Sequence, residues 1–172
     1  MGALTDSPPV TVTPPAGAAA GAGVSLAFSG DFVVCADNAK FIMAFVNLGL
    51  VPDTGGTYLF VKSLGIQKAM ELCVTGRPMK AQEAKDAGMV YDVVPAEELD
   101  DTVMKLAKKF ASGPLLSYKN IKKQIYQAGL ADYKKYLDEC EIPTQRECAA
   151  SSDFIEGVKA FMEKRKAEFK GE

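Results

Sequence analysis

At 172 residues, with 48% hydrophobic and 24% charged positions, the chain has an ordinary globular makeup and room for one core. A formal charge of −2 and an isoelectric point near 5.3 give no electrostatic footing for nucleic acid or an anionic membrane surface. Histidine is absent and the four cysteines, Cys35, Cys73, Cys140 and Cys148, show no CxxC spacing, which speaks against a zinc site and against Ser-His-Asp or Cys-His catalysis.

Those cysteines are expected to be buried thiols, not disulfides. No run of apolar residues is long enough to span a membrane. The start, MGALTDSPPVTVTPPAG, has neither region of a signal peptide, and Asp6 departs from the myristoylation pattern. The expectation is a cytoplasmic protein without membrane, metal or nucleic-acid partners.

Residues 1–16 carry Pro8, Pro9, Pro14 and Pro15, so they read as an extended or disordered lead-in, with Val10 to Val12 as a candidate edge strand. A Gly/Ala-rich loop from Gly17 leads into a short buried helix over Ala22 to Ser29. Phe32 to Ala36 reads as a buried strand, Asp37-Asn38 as a turn, and Lys40 to Met43 as a second strand. Gly49 to Gly56 is loop; helices follow over Gly55 to Leu64 and Gln67 to Thr75, split at Gly65. Ala81 to Ala87 is a helix stopped by Gly88, and Met89 to Val94 a strand. The remainder is helical. Ala96 to Ala111 carries an apolar stripe at Leu99, Val103, Leu106, Ala107 and Phe110, beside a solvated basic face at Lys105, Lys108 and Lys109. Leu115 to Ala128 ends at Gly129, and Ala131 to Ala150 should be split by Pro143. Asp153 is expected to cap a last helix reaching about Phe169, with Phe154, Val158, Phe161 and Met162 on one face.

Two stretches could carry chemistry. Gly21-Ala22-Gly23 precedes a helix, whose first N–H groups suit an anion or a developing oxyanion; small residues there equally serve tight packing. No nucleotide-binding glycine pattern accompanies them. Asp53, between Pro52 and Thr54-Gly55-Gly56, fits a helix N-cap; in an apolar pocket its carboxylate would instead suit proton transfer.

Gly17 to Gly23 with Leu26-Ala27 and Asp31, then Ala39-Lys40-Phe41, Leu48 to Pro52 and Gly55-Gly56-Thr57, resemble in order the enoyl-CoA hydratase/isomerase (crotonase) superfamily. Ala69 to Leu72, Thr75-Gly76, Ala81 to Ala84, Ala87 to Val90, Glu156-Gly157-Val158, Ala160-Phe161 and Glu163-Lys164-Arg165 continue the likeness. MAFVNLGLVPDTGGTY is most similar to the branch of ring-epoxide CoA isomerases of phenylacetate breakdown.

The resemblance implies an α/β fold of the ClpP/crotonase ββα-spiral kind, a partial spiral core over 17–112 and a helical trimerisation region over 113–172. It also implies that the family's N-terminal part, with its second oxyanion donor and part of the CoA site, is missing: Pro15-Ala16-Gly17 stands where the family has Val-Asn-Gly. The Ala22 N–H would be one oxyanion donor and Asp53 the proton-moving acid. Gly21, Gly23, Ser25, Phe45, Gly55, Phe161 and Lys164 would serve substrate or CoA, the last two often across a subunit boundary. For Phe161 and Lys164 a core phenylalanine and a solvated lysine are the equal alternative. The two glutamates of family hydratases are replaced here by Ser25 and Phe45. The implied activity is therefore isomerisation of an acyl-CoA thioester by a homotrimer or hexamer, with coenzyme A as part of the substrate and no other cofactor. Enoyl-CoA hydration and a catalytically silent subunit are the alternatives.

Overall fold

The computed structural model describes residues 10–172. Residues 1–9 of the lead-in lie outside that range. In its described part the extended alternative holds, with an edge strand ending one residue later than the Val10 to Val12 candidate. Val12–Thr13 forms strand β1, fixed by parallel pairing of Val12 with Phe32 and Thr13 with Val33. The Gly/Ala loop is corrected: Ala18–Ala20 is strand β2, paired in parallel with residues 40–42. Alanine has little strand preference of its own, so this strand is made by its neighbour and not by propensity.

Helix α1 (Ala22–Ala27), strands β3 (Phe32–Ala36) and β4 (Lys40–Ile42), and a 3₁₀ turn at Ala44–Leu48 follow. Helix α2 (Gly56–Thr75) is broken at Gly65, whose φ of 77° and ψ of 167° are not helical, at the split the sequence predicts. Then come β5 (Met79–Lys80), α3 (Ala81–Asp86) and β6 (Asp92–Val94), the last a shorter strand than Met89 to Val94. Met89 and Val90 are buried but lie outside the pairing.

The chain alternates between two sheets. One has the order β1-β3-β6, all parallel; the other has the order β2-β4-β5, with β5 antiparallel to β4. The first two passes each lay one strand in each sheet before a helix or turn intervenes, and in the third α3 lies between β5 and β6; this is a ββα spiral. The main core, with Val24, Phe41, Met43, Phe60, Leu72 and Met79, is closed by the ring of Phe28 4.6 Å from that of Phe41. A smaller cluster of Val34, Ala36 and Leu99 covers the other face of β3.

That cluster is roofed by α4 (Leu99–Ala111), through Leu99, Val103 and Leu106 of the predicted stripe; a short 3₁₀ turn at Ala96–Glu98 precedes it. Helix α5 (Leu115–Leu130) continues through Gly129 instead of ending there. The predicted 131–150 helix divides into α6 (Tyr133–Tyr136), a π turn at Leu137–Glu141, and α7 (Ile142–Ala149). Pro143 explains the break: it has no N–H, and its ring would crowd the carbonyl four residues back. The Ile142 N–H instead reaches Leu137 C=O.

Helix α8 (Ser152–Glu163) differs from expectation at both ends. Its cap is Ser151, whose Oγ accepts from the Phe154 N–H at 3.1 Å. The Asp153 carboxylate instead accepts from the Lys170 and Gly171 N–H groups of the returning tail, at 2.7 and 2.8 Å. The helix stops at Lys164, left-handed at φ 52°, and Arg165 turns back onto Glu156 and Glu163. Phe161 and Met162, expected to share a face with Phe154 and Val158, are exposed while those two are half-buried.

Gly157 lets α8 lie on the 3₁₀ turn: a Cβ there would fall 2.7 Å from the Leu48 backbone. Helix propensity alone would favour a larger residue by about 1 kcal/mol. Backbone cannot yield as a side-chain end can, so overpacking prevails, and Gly157→Leu should lose about 3 kcal/mol in urea melts. Below α2, Arg77 at 2.6 Å and Lys68 at 2.8 Å hold the Glu83 carboxyl down at about 2. A carboxyl lowered in the fold stabilises above its ordinary range and loses that contribution as pH falls. Thermal stability should decline between about pH 4.3 and 2, less steeply in Glu83→Gln, as measured by acid melting curves.

The four cysteines are free, but only Cys35 is fully buried; Cys140 is exposed. Burial, with Asp92 adding to it, pushes the Cys35 thiol up to about 11, which keeps it unreactive. No helix among the described residues is long and apolar enough to cross a membrane.

Candidate active site

The site is built where β2 hands over to α1 and where the 3₁₀ turn hands over to α2. Gly21 closes β2 by donating its N–H to Ile42 C=O at 3.0 Å. Its φ of 56° is a conformation that glycine adopts freely, and a Cβ there would meet the Phe45 ring at 3.6 Å. Helix α1 then starts at Ala22. As its first residue, Ala22 has no helical carbonyl four places behind it to receive its N–H. Ala22 and Gly23 are exposed, with open space beside Gly23.

Ser25 faces the other way, 1% exposed, and its Oγ donates to Asp53 C=O at 3.2 Å. That bond ties α1 to the 53–56 turn. Phe45, 8% exposed, packs in the main core from the 3₁₀ turn.

The Asp53 carboxylate does not cap α2. The N-cap is Gly55, left-handed at φ 78° and without a side-chain capping bond. Asp53 Oδ2 accepts from Gln145 Nε2 at 3.3 Å, whereas Oδ1 is buried without a hydrogen-bond partner among the described residues, as is Gln145 Oε1. A buried carboxylate oxygen left in that state is costly unless something else meets it. The turn itself is strained: Thr54, a β-branched residue, sits at φ 53°.

Gly55 is buried, with its Cα face against Tyr133, where a Cβ would lie 2.1 Å from the hydroxyl. Its N–H donates to both Glu141 oxygens at 3.0 Å. Burial pushes the Glu141 carboxyl above the usual carboxylate range; the Gly55 N–H pulls it down, and the nearby Asp53 charge pushes it up again. Glu141 and Gln145 are four residues apart and both face the 53–56 turn.

The structure therefore brings Ser25, Asp53 and Gly55 together, with Gly21 and Phe45 packed on each other alongside. Phe161, 76% exposed, and Lys164 stand at the far end of α8, joined to this cluster by no hydrogen bond or ion pair among the described residues. Sequence reasoning missed Glu141 and Gln145. The available signal was a Glu and a Gln four apart around Pro143, hidden among the acids Asp138, Glu139 and Glu147.

Comparisons with known proteins agree with this architecture. The enoyl-CoA hydratase/isomerase family model matches residues 1–172. Among curated relatives, the trans-2-decenoyl-[acyl-carrier-protein] isomerase of Streptococcus mutans is 38% identical over 169 residues, covering 98% of this chain and 64% of its own length. The 1,2-epoxyphenylacetyl-CoA isomerase of Escherichia coli is 43% identical over 155 residues, 90% of this chain and 59% of its own. An enoyl-CoA hydratase structure from Mycobacterium avium subsp. paratuberculosis superposes with a TM-score of 0.93 at 34% identity, over 98% of this chain and 68% of that one. The chain thus spans only about 60% of the length of such curated relatives. Within that span it has the crotonase fold, and it belongs to the enoyl-CoA hydratase/isomerase family.

Proposed function

We propose that this chain isomerises an acyl-CoA thioester, with Asp53 as the single proton-moving acid and the Ala22 N–H as an oxyanion donor. The observation that carries the reading is the buried Asp53 Oδ1, without a hydrogen-bond partner among the described residues while Oδ2 is held by Gln145. In a 3-enoyl thioester, Asp53 would take the proton from C2. The electron pair forms a C1–C2 double bond, giving a dienolate in which C3–C4 is still double and the charge rests on the thioester oxygen against the Ala22 N–H. The same carboxyl then returns the proton at C4: the thioester C=O re-forms, the C1–C2 pair moves to C2–C3, and the C3–C4 pair bonds the proton, leaving the 2-enoyl thioester. Nothing is gained or lost, so no cofactor beyond the coenzyme A of the substrate is called for.

Gly21 and Gly23 keep the approach to the Ala22 N–H free of side chains, and Gly55 serves through the turn that carries Asp53. Ser25 and Phe45, standing where family hydratases have glutamates, offer no carboxylate to activate water. Phe161 and Lys164 are assigned to coenzyme A held across a subunit boundary, in a homotrimer or hexamer whose contacts the helices beyond residue 113 supply. Two of the isomerase names among the relatives favour the same chemistry, one of them for a thioester of acyl carrier protein and one for a CoA thioester. Product analysis in water enriched in heavy oxygen tests the reading. Isomerisation leaves the product unlabelled, whereas a labelled 3-hydroxyacyl product would make the chain a hydratase.

A further inference from the structure

Three backbone groups of the Asp53 turn are tied by elements outside it. Asp53 C=O accepts from Ser25 Oγ on α1 and from the Gly56 N–H. Thr54 C=O accepts from the Tyr133 hydroxyl on α6 at 3.5 Å. The Gly55 N–H goes to Glu141, at the end of the π turn and 86 residues away in sequence. Of these partners Glu141 is the costly one. It is 5% exposed, carries a carboxyl into the interior, and faces the charge of Asp53. One backbone N–H could be satisfied by a neutral acceptor without that cost. A negative group at the N-terminus of α2 gains from the helix dipole, and that is the purely structural account of it.

We propose that Glu141 is the positioning residue of Asp53: its two oxygens clamp the Gly55 N–H and so hold the strained Asp53–Gly56 turn with one Asp53 oxygen uncommitted. The catalytic side of this inference rests on the acyl-thioester reading above; the clamp itself does not. The π turn fits the role, since widened turns of this kind recur where a helix must present one side chain out of register. Glu141 touches no substrate in this scheme. It acts only through the turn.

The test uses the 172-residue chain with Glu141→Ala and Glu141→Gln, followed by steady-state kinetics on a 3-enoyl-CoA and by NMR exchange of the Gly55 amide. Loss of the clamp misplaces Asp53, so Glu141→Ala should lower kcat about 100-fold per folded molecule while KM stays within about threefold. The glutamine amide oxygen still accepts, so Glu141→Gln should recover kcat to within about tenfold of wild type. The Gly55 amide should exchange at least about tenfold faster in Glu141→Ala. A lower melting temperature with unchanged kcat in Glu141→Ala would reduce Glu141 to a helix-end acceptor and overturn the proposal. If Glu141→Ala does not fold, Glu141→Asp replaces it, one methylene short of Gly55, with the same loss expected and the same contradiction. A folded wild type without turnover counts against the acyl-thioester reading alone. The exchange rate then decides the clamp: faster in Glu141→Ala upholds it, unchanged removes it.

Discussion

Asp53→Asn should lower kcat by about 10²- to 10⁴-fold, the range for removing a general acid–base group, with little change in melting temperature. Asparagine keeps the shape and can still accept from Gln145 Nε2, so the 3.3 Å contact survives. What it cannot do is take a proton. The substitution also separates the two roles open to an aspartate before a Gly-Gly helix start. Asparagine caps a helix about as well as aspartate, so a capping Asp53 would lose neither stability nor rate. The backbone already points away from capping, because Gly55 occupies that position without a side-chain bond. Steady-state kinetics of the folded variant beside wild type is the check, and a rate within twofold of wild type would take Asp53 out of the chemistry.

The largest expected stability effect lies away from the site, at Asp31. Its side chain is 11% exposed and meets Lys122 Nζ, 8% exposed, at 2.7 Å across 91 residues of sequence. Tyr126 donates to the other Asp31 oxygen at 2.8 Å, and the Thr11 N–H and hydroxyl complete the set at 2.7 and 3.0 Å. One carboxylate thus joins α5, the approach to β1 and the exit of α1. Truncating one partner of a buried ion pair costs more than the pair contributes. Asp31→Ala should therefore destabilise by about 3–5 kcal/mol in denaturant melts. The double change Asp31→Ala with Lys122→Met removes both charges and should recover much of that loss. Equal losses in the single and double variants would contradict the account, because the cost would then lie in packing and not in the charges.

Much of the spiral was legible because local pattern and tertiary environment agree. The Phe-Val-Val-Cys-Ala run of β3 is apolar and β-branched, and four of its five residues are buried. Gly65 broke the α2 pattern in sequence and breaks it in space. The failures occur where the partner alone makes the element. Ala18–Ala20, read as loop, is extended because Lys40–Ile42 lies beside it. The early end of α8 depends on a left-handed lysine and on a tail returning to Asp153, neither of which has a local signature.

The site divides in the same way. The segment from Gly21 to Gly55 could be read because its residues lie close in sequence and in a recognisable order. Glu141 and Gln145 could not, since in sequence they belong to a helical stretch of mixed charge; only the fold turns them towards Asp53. Phe161 and Lys164 have no hydrogen bond or ion pair to the cluster among the described residues.

The measurement that bears most directly on the central claim is the conversion of a 3-enoyl-CoA by the folded 172-residue chain, followed by absorbance of the conjugated 2-enoyl thioester. The account predicts that the conjugated product accumulates well beyond one equivalent per protein, without cofactor. A well-folded sample that leaves the 3-enoyl thioester unchanged would contradict it.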